Sequence, residues 1–131
     1  MVGFGVGVPL FAAGLRKALD GPAWIAAGVA GLASFGVAAL PLHPDHEVPA
    51  HAVAAGLAYA SLSLAPLLAA GPLAATGRRG MARFSVGAGV VGAACLAATL
   101  AGPAHGFFQR AGLTTLDVWL VLVALRVVRQ P

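Results

Sequence analysis

Three groups of side chains have the types and spacing for chemistry. The first is the run His43-x-Asp45-His46-Glu47-x-x-x-His51. Imidazoles and carboxylates at this density suit a divalent ion such as zinc, with His43, Asp45, His46 and Glu47 as candidate ligands, or the handling of protons. The run is not an HExxH motif, because Glu47 and His51 are separated by three residues rather than two, and Pro49 disfavours helical geometry at the residue before it. The plainer reading is a solvated polar loop. The second group is His105, which closes an apolar run and is placed to face His51; water or headgroups would satisfy it equally well. The third is Asp117, which shares a helix face with Arg110 and Thr114 at spacings of three and four. Arg110 and Asp117 lie about 10 Å apart along a helix axis. Side chains tilt toward the helix N-terminus, so Arg110 leans away from Asp117. A bridge through Thr114 or water fits better than a direct ion pair.

The elements that would hold these groups follow from composition. The chain has 131 residues, 60% hydrophobic and 9% charged, against about 25% charged in soluble domains. A surface that apolar fits a bilayer as solvent, and the length suits one domain. The net charge of +4 reads as orientation charge rather than a nucleic-acid footprint. Cys95 is the only cysteine, which excludes an internal disulfide and any cysteine-only metal site. No basic leader precedes the first apolar residues, so no cleavable signal peptide is expected. No motif calls for a cofactor.

The expected fold is all-α, an integral membrane bundle of about five transmembrane helices spanning residues 2–15, 23–42, 50–71, 84–104 and 107–128. Gly3 and Gly7 form a small-xxx-small pair suited to close helix packing. Arg16, Lys17 and Asp20 read as a charged connector, and Trp24 as an interfacial anchor. Pro66 removes a backbone donor inside the third span, where a kink is expected. Pro72 to Arg83 reads as a basic connector. No period-two alternation supports a barrel. At bilayer depth Asp117 costs about 2.5–3.5 kcal/mol, so its helix must sit against partners. Tyr59, Ser61, Ser63, Ser34 and Cys95 reach similar depths and would make a polar pocket around it. Such a pocket is either a substrate or proton site or a hydrogen bond that locks packing. Phe107, Phe108 and Trp119 read as lipid or packing contacts.

Five spans put Arg16, Lys17, Arg78, Arg79, Arg83, Arg126 and Arg129 on one side and Arg110 alone on the other. The positive-inside rule then predicts a cytoplasmic C-terminus and an outer N-terminus. All four histidines fall at the outer face.

The closing run Gly106-x-x-Gln109-Arg110-x-Gly112-Leu113-Thr114-x-x-Asp117-x-Trp119 resembles the end of bacterial polytopic membrane proteins of the DUF998 family. The stretch from Pro41 through Asp45 to His51-Ala-Val-Ala-Ala-Gly resembles that family's outer loop and following helix. The resemblance implies a multi-pass protein of the bacterial plasma membrane, with a further helix expected before Met1. It implies no activity, because the family's function is unknown. The candidate functional residues are His51, Tyr59, His105, Gln109, Arg110, Thr114 and Asp117. They support a lipid-binding, accessory or transport-related protein. They leave open an enzyme acting on a lipid-linked substrate at the outer face through His51, His105 and Asp45, and a proton-coupled carrier using Asp117. The expected partners are membrane lipids and not nucleic acid; a membrane-protein partner or a second copy of the chain stays open.

Overall fold

A computed structural model of the chain describes residues 2–40, 49–102 and 104–128. These residues form five α-helices: α1 (Val2–Ala18), α2 (Ala23–Ala39), α3 (Pro49–Ala75), α4 (Arg79–Ala101) and α5 (His105–Val123), the last prolonged by a π-helical turn, Ala124–Val128. Two of them, α3 and α4, are long and apolar enough to cross a membrane. Consecutive helices pack on one another, and the π-helical turn comes back against α1.

The helix ends differ from the sequence reading in instructive ways. Arg16 and Lys17 belong to the last turn of α1 rather than to a connector, where cations complement the helix dipole. The expected basic connector after Pro72 shrinks to Thr76–Arg78. Gly77, at φ +78°, closes α3 with two backbone bonds, Arg78 N–H to the Leu73 carbonyl at 2.9 Å and Gly77 N–H to the Ala74 carbonyl at 3.0 Å. This is a glycine C-cap that satisfies the last carbonyls of a helix, and it lets α4 begin at once. The helix α3 continues unbroken through Pro66 and Pro72. At the same end Gly21, at φ +99°, turns α1 into α2 beside the Pro72 ring. The Arg16 guanidinium lies 4.8 Å from the centre of the Trp24 ring, a cation–π contact that ties the two helices.

Small residues line the packed faces of two helices. On α2 these are Ala23, Ala26, Ala27, Ala30 and Gly31; on α4 they are Ala82, Ser85, Ala88, Gly89 and Gly92. Large side chains fill the space they leave: Leu15, Leu62, Leu73, Leu116 and Trp119 are all essentially inaccessible. Helices α1 and α2 approach closely at Pro9 and Gly31, where an added Cβ would lie 2.6 Å from the proline ring. Gly7, expected to pack closely, has open space around it. Leu32, Val53 and Leu100, by contrast, are at least 69% exposed, so large apolar groups face outward around the bundle.

The core is densest toward the end that carries the basic connectors. There Trp119 is fully buried. Its ring meets Phe11 of α1 edge-on, centroids 5.7 Å apart, and its indole N–H donates to Ser85 Oγ of α4 at 2.8 Å. One side chain thus joins α1, α4 and α5. Ser85→Ala leaves the indole donor buried without a partner, so the expected loss is about 1–3 kcal/mol. It should appear as a lower thermal midpoint of the protein in uncharged detergent. The same substitution should cost far less in a Trp119→Phe background; an equal cost in both would show that the bond carries no stability.

Candidate functional site

Toward the opposite end the helices part. A cavity of about 350 Å³ lies between α2, α3 and α5, at the lower end of the range for small-molecule sites. Helix α2 supplies Ser34 and Val37; α3 supplies His51, Ala55, Ala58, Tyr59 and Leu62; α5 supplies Gln109, Leu113 and Asp117. The α5 residues recur every four positions, so they line about 12 Å of that helix's length. Gln109 marks one end of this stripe and Asp117 the other. Asp117 also borders a second, shallower hollow of about 400 Å³ between α1 and α5, lined by Gly7, Val8, Phe11, Leu120, Val121 and Ala124. The carboxylate therefore stands where a cavity with a few polar groups meets a groove with none besides Asp117 itself.

His51 sits in the first turn of α3, which begins at Pro49; proline suits that position because its missing N–H would have no helical partner. The His51 Nδ1 lies 2.6 Å from the carbonyl oxygen of Leu40, the residue that closes α2. A carbonyl only accepts, so Nδ1 carries the proton, and in the neutral ring Nε2 keeps its lone pair. One bond both ties α3 to the end of α2 and sets the tautomer.

Ser34 donates its hydroxyl to the Ala30 carbonyl at 2.8 Å. Ser63, expected in the pocket, is buried and donates to the Tyr59 carbonyl one turn back. Ser61 is half-buried and does not line the cavity. Tyr59 is 5% exposed. Its ring walls the cavity, but its hydroxyl reaches the seam between α4 and α5, against Gly112 and Cys95. That hydroxyl has no hydrogen-bond partner among the described residues. A Cβ at Gly112 would fall on the Tyr59 hydroxyl and lie 2.7 Å from the Cys95 Cβ, so the glycine makes room for the ring.

The structure therefore brings His51, Tyr59, Gln109 and Asp117 to one cavity and adds Ser34. It leaves Arg110 and Thr114 exposed and outside the lining. The face at residues 110, 114 and 117 is real on the helix, but the cavity is bordered by 109, 113 and 117, of which Gln109 and Asp117 are themselves exposed at its edge. His105 opens α5, and its side chain lies outside the described residues, as do His43, Asp45, His46 and Glu47. No group of three or more metal-ligating side chains occurs among the described residues.

Residues 1–126 match the family described as a protein of unknown function, DUF998. The chain belongs to the DUF998 family. No curated protein and no solved structure matches it. The resemblance read from Gln109, Gly112, Asp117 and Trp119 thus extends over nearly the whole chain; in this chain Gln109 and Asp117 line the cavity, Gly112 seats the tyrosine and Trp119 is the indole anchor.

Two substitutions separate the roles on the tyrosine seam. Tyr59→Phe removes a hydroxyl that has no described partner, so stability should hold or rise. Gly112→Ala forces overpacking that costs about 1–3 kcal/mol, more than the gain in helix propensity of about 1 kcal/mol. Thermal midpoints in detergent would test both; a large loss for Tyr59→Phe would mean that the hydroxyl has a partner outside the described residues.

Proposed function

We propose that this chain is a multi-pass protein of the bacterial plasma membrane that binds a small amphiphile between α2, α3 and α5. The single observation that carries the reading is the cavity itself: apolar walls from Val37, Ala55, Ala58, Leu62 and Leu113, with polar groups at its two ends. Ligand sites are mostly apolar with a few placed polar groups. The membrane setting is supported by the 9% charged content, the two helices long and apolar enough to span, and the outward-facing leucines and valines. The orientation rests on the basic residues at the α1–α2 and α3–α4 turns, ends held together where Gly21 meets Pro72. With those basic ends inside, the C-terminus is cytoplasmic and the cavity mouth, at His51 and Gln109, opens outward.

A second reading has an observation of its own. Asp117 borders both hollows, as a group would that meets a proton or cation from one side and releases it to the other. It uses the same carboxylate with a different outcome, transport rather than retention.

Ala55→Phe fills the cavity and leaves every polar side chain of its lining in the sequence. The protein purified from native membranes should carry a defined amphiphile, found by mass spectrometry, and Ala55→Phe should lose it while keeping its thermal midpoint. An identical lipid complement in both proteins would refute the binding reading. A reporter active only in the cytoplasm, fused after Pro131, should be active; silence there, with activity when it is inserted at residue 46, would invert the topology.

A further inference from the structure

The hydrogen-bonding capacity of the cavity is lopsided. Ser34 spends its hydroxyl hydrogen on the Ala30 carbonyl, so its Oγ offers only lone pairs to the cavity. His51 spends its Nδ1–H on the Leu40 carbonyl, so the neutral ring offers only the Nε2 lone pair. An ionised Asp117 accepts and cannot donate. The Tyr59 hydroxyl is shut into the Gly112–Cys95 seam. Among the described residues that leaves the Gln109 amide as the side chain in the lining with hydrogens to give, and neither lysine nor arginine lines the cavity. Three acceptors, one of them a carboxylate, stand against one amide. An anionic ligand would meet repulsion and unpaired lone pairs there; an ammonium group would supply both the charge and the donors.

Asp117 adds a direction. On its other side lies the groove of Gly7, Val8, Phe11, Leu120, Val121 and Ala124, without any other polar side chain. A hydrocarbon tail fits such a wall, and Gly7 leaves room along it because nothing lies within 4 Å of where its Cβ would be. We infer that the ligand is an alkylammonium amphiphile, its charged head at Asp117 facing the acceptor-lined cavity and its tail along the α1–α5 groove. This rests on the proposed binding function, names the class of ligand, and gives the α2–α3–α5 cavity to its head while the tail passes Asp117 into the adjoining groove.

The test is equilibrium binding of radiolabelled dodecylamine to the full chain in phosphatidylcholine nanodiscs, with empty discs subtracted. Saturable binding is expected, with unlabelled dodecylamine competing and dodecanoate failing to compete. Asp117→Asn, which keeps the shape, should weaken binding roughly 10–100-fold, the loss for a hydrogen bond to a charged group. Val121→Trp, which fills the groove and leaves the carboxylate, should weaken it as well. Both variants must keep the parent thermal midpoint; if Asp117→Asn does not fold, Val121→Trp with the dodecanoate comparison decides alone. Dodecanoate competing as well as the amine, or Asp117→Asn binding the amine unchanged, would overturn the ligand class. In either case the loss of co-purified amphiphile on Ala55→Phe would still uphold the cavity as a binding site, so the two readings fail separately.

Discussion

The bond from the Trp119 indole to Ser85 Oγ is the constraint around which the bundle closes. Apolar attraction between helices is weak in lipid, where tails are as apolar as leucine, and association relies on packing and interhelical hydrogen bonds. A buried indole N–H has few ways to be satisfied. Ser85 provides one, and it is itself fully buried on the small-residue face of α4. The Phe11 ring against the same indole brings α1 to the cluster. The first helix is therefore held to the last, and the π-helical turn after Val123 keeps Val127 in contact with the core.

What closes one end allows the other to open. Below Trp119 the bundle is filled by Leu15, Leu19, Leu73, Val123 and Val127 around the alanines of α2 and α3. Above it the second cluster is smaller, with Val8, Ala30, Tyr59, Leu62 and Leu116. Alanines at positions 55 and 58 are too small to fill the space between α2 and α5, and the cavity is what remains. A site of this kind needs no loop to shape it. It follows from small residues on one stretch of α3 while the far end of the bundle holds the helices at fixed separation.

The sequence made the helices legible, because long apolar runs speak without their neighbours; it did not show which small residues pack, since Gly7 has open space around it while Gly31 and Gly89 sit against neighbouring side chains. Ser34 and Tyr59 were also within reach, since depth along a span can be counted. The facing of α5 was not. Residues 110, 114 and 117 and residues 109, 113 and 117 are both valid helix stripes, and only the position of α3 decides between them. The Trp119–Ser85 bond was hidden for the same reason: its partners are 34 residues apart, and a tryptophan in an apolar run looks like any lipid contact. The tautomer of His51 was hidden because its partner is a backbone carbonyl, which leaves no trace in residue type. The short turn at Gly77 was obscured by three arginines that read as a solvated connector, although the glycine that ends α3 was there to be seen.

Under the proposed binding, Asp117 would tie stability to occupancy. It lies one helical turn from Leu113 and two residues before Trp119, at the boundary between the packed and the open halves. Among the described residues it has no hydrogen-bond or ion-pair partner. In the proposed membrane setting a carboxylate at bilayer depth costs about 2.5–3.5 kcal/mol, and of the side chains that share its cavity only the Gln109 amide offers hydrogens. Anything that binds the folded state alone stabilises it in proportion to the logarithm of its concentration over its dissociation constant. A ligand of the proposed class would therefore stabilise the bundle through its contact with Asp117.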